Sequence, residues 1–359
     1  IINPAQQKIS ASSIMSKRLL AVDMEDKALQ CHFLIIRLLN VCSEHGVESN
    51  KLLRGTKLFI EDLQKDNGCF SAKTLLTIID NVLKTHIHQQ VSFIIGRQLF
   101  THQNNNPLIT LNHCKTLKQV ITTIARQPIR YCPLFSLKIY RVQHQIHLQC
   151  MPAFGMTAHQ YQFCCEIIAA AMKGLFKRFV DDINPIAFHF PYRRPTHIEQ
   201  YQQHLGLKTC FTDHLFLMPF NKGYLTKSVN SSAIRKADNR NDDFHATQVG
   251  LLYYITRYLT RFPNSGLADV ATHLSISPAT LKRKLKQHKT SFQQLQDVQK
   301  AQQAVFRLLI NNDKNTTIAS NLKFEDINNF RRSFKRWTGQ TPSQYKEHHP
   351  ACCAQRQGS

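Results

Sequence analysis

Two short stretches near the C-terminal end concentrate side chains able to read a polyanion. The first, Ser277 to Lys289, carries Lys282, Arg283, Lys284, Lys286 and Lys289 with no acid among them. The second, Ile327 to Trp337, carries Asn328, Asn329, Arg331, Arg332, Lys335 and Arg336. In each stretch apolar residues fall at helical spacing: Leu281 and Leu285 in the first, Ile327, Phe330 and Phe334 in the second. Each therefore reads as a helix with one buried face and one cationic or amide face. Asn presents a donor and an acceptor that match an adenine edge, and the Arg fork matches guanine. Lysine ammonium groups neutralise phosphates and release counterions.

Each such helix needs a partner to hold it. Before the first, Leu267, Val270, Ala271 and Leu274 place an apolar stripe on a short helix, and the turn Ser275-Ile276-Ser277 follows. Ser277 can cap the next helix, with Pro278 at a first position where its missing N–H costs nothing. Before the second, Ile318, Ala319 and Leu322 form the supporting helix and Phe324 closes the turn. Helix, tight turn and basic helix is the layout of a helix-turn-helix unit, whose second helix enters the major groove. Between the units, Phe292 to Ile310 reads as one continuous helix with Phe292, Leu295, Val298, Ala301, Val305, Leu308 and Leu309 inward. It would hold the two reading helices at a fixed separation.

The residues Leu267 to Tyr345 resemble the AraC/XylS family of bacterial transcription regulators. The resemblance rests on S-x-x-T-L-x-R at Ser277 to Arg283, S-F at Ser291-Phe292 and I-A-x-x-L-x-F at Ile318 to Phe324. It continues with F-x-x-x-F-K-R at Phe330 to Arg336 and W-T-G-x-T-P-S-x-Y at Trp337 to Tyr345. It implies base contacts at Lys282, Arg283, Asn328 and Arg332, and phosphate contacts at Ser277, Lys286, Lys289, Lys335 and Arg336. There are departures: Ala279 and Lys300 stand where the family usually has arginine, and Lys323 where it has glycine. If the turn at Lys323 needs a positive φ, lysine costs ~1 kcal/mol there.

The rest of the chain reads as an α+β domain, followed by an all-α C-terminal domain with two helix-turn-helix units joined by a linker helix. Expected helices lie around Phe33 to Val41, closed by Gly46, and around Leu75 to Leu83, Val91 to Phe100, Leu117 to Ala125 and Ala158 to Val180. Phe135, Leu137 and Ile139, then Ile146, Leu148 and Cys150, alternate with period two and predict a hairpin across Gln143 to Gln145. A short strand through Ile186, Phe188 and Phe190, a helix near Thr196 to Leu205 and a strand near Leu215 to Pro219 complete a small sheet. The expected boundaries are a loose start over 1–27, a sensing and dimerising domain over 28–230, and a polar linker over 231–247. The DNA-binding domain then takes 248–347 and a disordered tail 348–359.

Residues Leu52 to Val229 resemble, less sharply, the N-terminal domain called arabinose-binding in part of the AraC family. The features are V-S-F-I-I-G-R at Val91 to Arg97, the helix start Thr116-Leu117, and L-T-K-S-V at Leu225 to Val229. The region is too helical and too poor in glycine for a cupin barrel, so arabinose itself is not expected. A pocket, if present, is expected between the sheet face of Phe135, Leu137, Ile139, Leu148 and Phe188 and the helix through Tyr161 to Phe179. Such a wall suits a fatty acid or another amphipathic metabolite.

Composition bounds the alternatives. The 359 residues include 46 Lys+Arg against 23 Asp+Glu, a formal net charge of +23, and 42% are hydrophobic. That charge favours a polyanion partner, and the hydrophobic fraction supports a packed core. The apolar stretch Ala28 to Val41 holds His32 and Arg37 and is too short for a membrane span. Eleven cysteines with no C-x-x-C pair and no export signal read as reduced thiols of a cytoplasmic, nucleoid-associated protein. The pairs His86/His88 and His144/His147 match chance spacing among 18 histidines, so no metal or other cofactor is expected. No nucleophile elbow, Walker loop or dinucleotide fingerprint is present, so no catalysis is expected. The expected partners are promoter DNA, a small-molecule effector, RNA polymerase and a second copy of the chain, without a membrane. The competing readings are a non-specific DNA-organising protein, and an enzymatic or haem-sensing domain fused to a DNA-binding module.

Overall fold

The computed structural model describes residues 18–64, 68–99, 111, 114–180, 182, 185–212, 214–228 and 246–349. Most of the expected loose start, nearly all of the linker and the end of the tail lie outside the described residues, as does Phe100.

The helices of the N-terminal region follow their apolar periodicity. They are α1 (His32–Glu44), α2 (Ser49–Leu53), α3 (Ala72–Leu83), α4 (His88–Gln98), α5 (Leu117–Arg126), α6 (Pro128–Tyr131), α7 (Ala158–Phe176) and α8 (Ile198–Leu205). Their starts are set by local chemistry. Thr116 and Thr157 each accept from the backbone N–H three residues on, and Gln119 and Gln160 reach back to complete a capping box. Leu117 N–H also donates to Lys227 O at 3.4 Å, so two of the separated sequence features meet in space.

The strands are β2 (Phe135–Val142), β3 (Gln145–Pro152), β4 (Phe188–Phe190), β5 (Thr209–Phe211) and β6 (Leu217–Asn221), in sheet order β2-β3-β6-β4-β5. β2, β3 and β6 pair antiparallel, and β5 joins β4 in parallel. The hairpin turn is tighter than expected: Gln145 already pairs with Val142, and Gln143 takes φ 53°. On one face Phe135, Leu137, Ile146, Leu148 and Phe220 join the main core beneath α7, with Phe135 stacked on Tyr161 at 5.7 Å. Gly96 lets α4 approach α7, because a Cβ there would lie 2.3 Å from Ile167 O. Beside that contact the buried Glu166 carboxylate accepts from Ser92 Oγ at 2.6 Å and Tyr201 OH at 2.5 Å.

The start of the described chain is ordered, a correction to the expected loose segment. β1 (Arg18–Val22) pairs in parallel with β7 (Ala246–Gly250), which leads into the C-terminal helices. Val22 and Met24 are buried. Arg18–Val22 is apolar after its first residue but too short and without period-two alternation, and its pairing is supplied by a partner more than two hundred residues away.

From β7 onward the chain is helical: α9 (Leu251–Arg261), α10 (Leu267–His273), α11 (Pro278–Gln287), α12 (Phe292–Phe306), α13 (Asn315–Asn321), α14 (Ile327–Thr338) and α15 (Pro342–His348). The linker helix ends in a π-helical turn, Arg307–Asn311. Val298, expected inward, is 52% exposed. No helix among the described residues is long and apolar enough to cross a membrane.

Candidate nucleic-acid interface

The two basic helices are α11 and α14, each preceded by a short supporting helix and a turn. Ser277 Oγ accepts from Thr280 N at 3.1 Å, and Pro278 occupies the first helical position. The cap of α14 is Asp326, which accepts from Asn328 N at 2.6 Å and Asn329 N at 2.8 Å. A carboxylate at a helix N-terminus is stabilised by the helix dipole as well as by the hydrogen bonds. The two turns share a backbone feature: Ser275 has φ 57° and Lys323 φ 59°. Lys323 thus sits in the left-handed region its position demands.

Burial separates the two faces of each helix. Leu281 and Leu285 are buried with Val270, Ala271, Ile255 and Leu295 in one cluster. Phe330 and Phe334 are buried with Ile318, Val305 and Tyr345 in another. Lys282, Arg283, Lys286 and Lys289 are exposed on or just after α11, and Asn328, Arg331, Arg332, Lys335 and Arg336 on α14. The Arg332 guanidinium donates to Asn329 Oδ1 at 2.6 Å, which extends it along the exposed face. Ser277 is exposed, but its hydroxyl already serves the cap.

Asp297 of α12 braces the second unit, accepting from Trp337 Nε1 at 3.2 Å and Arg336 at 3.3 Å. Lys300 lies 6.0 Å from the Phe324 ring centroid, a cation–π contact across the turn of the second unit.

Both units are fastened to the N-terminal region, by different chemistry. In the first, Asp23 Oδ1 accepts from His288 Nε2 at 2.8 Å and Asp23 Oδ2 from Lys284 Nζ at 2.5 Å. His288 Nδ1 accepts from Gly155 N at 2.9 Å, so its partners assign the ring proton to Nε2. Gly155 is required by this approach: a Cβ there would lie 2.0 Å from His288 O. Burial alone would raise the Asp23 carboxyl, but hydrogen bonds from His288, Lys284 and the Met24 amide outweigh it and hold it well below the ordinary carboxylate range.

The second unit is held by an apolar cluster that spans both regions. Leu215 and Leu217 share it with Val305, Phe306, Phe330 and Tyr345, and Tyr140 and Val142 pack against it. The Tyr140 and Phe306 rings are 4.4 Å apart. Gln302 adds hydrogen bonds to Gln149 and to His214 O, each at 3.3 Å, and Tyr345 OH donates to Thr212 O. None of Asp23, His288, Asp297 or Asp326 stood out in the sequence. The only local signal was Asp326, an acidic residue just before a helix.

The expected effector wall needs correction. A cavity of about 70 Å³ does lie between the sheet and α7, and Phe135 and Leu137 line it. Ile139 does not; it is 39% exposed at the outer edge strand. Leu148 and Phe188 are fully buried core side chains away from the cavity lining. Cysteines described in the structure are free thiols, and burial pushes Cys132 up to about 12 and Cys164 well above its ordinary value. No group of three or more metal-ligating side chains occurs among the described residues.

Family models match both regions of this layout. Residues 46–228, half of the chain, match the family model described as the arabinose-binding domain of AraC transcription regulator, N-terminal. Residues 270–348 match a helix-turn-helix domain model. The chain is 27% identical over 340 residues to the ornithine utilization regulator of Pseudomonas aeruginosa, covering 86% of this chain and 94% of that protein. Among solved structures, the transcriptional regulator CdpR from Pseudomonas aeruginosa is similar with a TM-score of 0.42 and 15% identity, covering 88% of this chain and 98% of that one. A DNA-binding transcriptional dual regulator from Escherichia coli K-12 matches with a TM-score of 0.26 and 26% identity, covering 29% of this chain and 93% of its own. Two capped reading helices on one linker helix, joined to a non-barrel α+β domain of the matched type, place the chain in the AraC family of DNA-binding transcription regulators.

Proposed function

We propose that this protein binds specific promoter sites as a dimer and that a small molecule bound in its N-terminal domain controls that binding. Lys282 and Arg283 of the first unit, and Asn328 and Arg332 of the second, contact bases; Ser277, through its backbone, with Lys286, Lys289, Lys335 and Arg336 contacts phosphates. The observation that carries the reading is the exposure of these groups on α11 and α14 while the opposite face of each helix is buried. Such a face offers both base-edge and phosphate chemistry. RNA polymerase is the expected protein partner and the bacterial cytoplasm the expected location. The related regulator's name concerns ornithine utilization; arabinose and ornithine both serve as comparison ligands here.

Footprinting on genomic fragments tests specificity. One protected site of about two duplex turns per protomer is expected. Uniform coating at the same salt concentration would make the protein a non-specific DNA organiser instead.

A further inference from the structure

The five-stranded sheet carries different cargo on its two faces. β2 sends Phe135 and Leu137 to the cavity beneath α7, and Tyr140 and Val142 to the apolar cluster of the second helix-turn-helix unit. β3 repeats the division: Cys150, opposite Leu137, faces the N-terminal core, while His147, opposite Tyr140, meets the Phe306 ring at 5.9 Å. One layer of backbone therefore separates the cavity from the helix that holds the second reading head.

The cavity walls come from α1, α3, the end of α4, α5, α6 and its connection to β2, β2 and α7. Its lining includes no charged side chain; its side-chain polar atoms are the Tyr131 phenol and the thiols of Cys132 and Cys164. Both thiols are held protonated by burial. A zwitterion placed here would lose its hydration without a charged partner, a cost that strongly disfavours it. An aliphatic group loses nothing and fills space that is otherwise empty. The volume of about 70 Å³ is several times what one water needs, and roughly half that of an engineered cavity of ~150 Å³ that takes benzene. It suits a chain of about three to five carbons.

We propose that this cavity is the effector site, that it takes a short aliphatic group, and that its occupancy reaches the second reading head through β2. The inference rests on the effector-controlled regulator proposed above, and it fixes where the effector binds and what chemistry it has. The polar end of such a ligand stays at the mouth, where both a carboxylate and a hydroxyl can remain hydrated.

The test uses the full chain and two probe series, n-alkanoates and n-alkanols from two to eight carbons, in isothermal titration. The dissociation constant is expected to fall about fourfold per added methylene and then level off once the cavity is full. A plateau in both series assigns recognition to the chain; binding by alkanoates alone adds an anion requirement at the mouth. Ala171→Met places a flexible side chain into the cavity and is expected to abolish binding while leaving the melting temperature unchanged or higher. Leu137→Phe, from the opposite wall, provides a second filled cavity. Absence of a chain-length trend in the unmodified protein, or unaltered binding in whichever filled variant folds, overturns the proposal. So does binding of L-ornithine or L-arabinose that Ala171→Met removes. Probe binding that obeys the trend but leaves the footprint unchanged overturns the coupling through β2 and the regulatory reading, while the apolar site stands.

Discussion

Replacing Asp23 by Asn should loosen the first helix-turn-helix unit from the N-terminal domain without unfolding either. The carboxylate accepts two interdomain hydrogen bonds, at 2.8 Å from His288 and 2.5 Å from Lys284. Charge-assisted bonds contribute ~1.5–3 kcal/mol each. Asn keeps one acceptor oxygen and turns an NH₂ group towards the other donor. Lys284 can also recover water, since its side chain is 29% exposed. These offsets bring the expected loss to about 2 kcal/mol, or roughly 30-fold in the population of the opened form. The Gly155 amide is the reporter, because it donates to His288 Nδ1 only when the unit is docked. Its hydrogen-exchange protection should fall by that factor, while protection in α7 is unchanged. Acid should do the same to the unmodified protein. The folded Asp23 pKa lies below its unfolded value, so the contribution is complete above the ordinary carboxylate pKa of ~3.9 and disappears as pH falls below it. The Asn variant should lack that acid-dependent step. Equal Gly155 protection in both proteins would show that Asp23 holds nothing in place.

Four further outcomes are expected. Arg332→Ala should cost ~1–3 kcal/mol at one base position and relax preference there, whereas Lys335→Ala should weaken all sequences alike and lower the salt slope by about 1; binding assays on a mutated-site panel separate them. Lys323→Gly should raise stability by ~1 kcal/mol in denaturant melts, because φ 59° burdens a side chain with a Cβ. Ser277→Ala should remove the cap of α11 and cost ~1 kcal/mol, seen as faster exchange in its first turn. Gly96→Ala should separate α4 from α7 and cost ~3 kcal/mol or prevent folding, since the new Cβ would meet Ile167 O at 2.3 Å.

The parts legible in the sequence are those governed by near neighbours. Ser277-Pro278 and the apolar positions of α11 and α14 act within one or two turns, so the cap of α11 and both buried faces could be placed residue by residue. The β2–β3 hairpin was equally local, its alternation preserved in the register that pairs Leu137 with Cys150. β1 was invisible because a parallel pair needs a partner from far along the chain. Val298 shows a second limit: apolar spacing marks a stripe, but which of its positions a neighbour covers is settled by packing, and Val298 is left exposed. The effector wall shows a third. Alternation correctly set Phe135 and Leu137 on one face, yet which stretch of that face α7 leaves open is a property of packing. Ile139 obeys the same alternation and lies beyond the cover.

The unlike fastenings of the two units bear on how a domain of this kind can change its grip on DNA. Opening the Asp23–His288–Gly155 contact returns polar groups to water, which repays most of what the hydrogen bonds contributed. Opening the cluster around Phe306 exposes Leu215, Leu217, Val305 and Tyr345 with no such return, at ~25 cal/mol for every Å² uncovered. The first unit is also held by Phe154 stacked on His288 at 6.1 Å and by Ala21 packed against the Leu281 and Leu285 cluster, so charge and acidity govern one part of its attachment. The second unit packs on the sheet through Tyr140 and Gln149, the contacts by which the proposed coupling through β2 would reach it. On the regulator proposed above, a change in the separation of the two reading helices would draw on this difference. One head is tied to the sheet by apolar packing, and loss of the Asp23 bonds loosens the other, which Leu252 N–H still ties to Ala153 O at 3.2 Å.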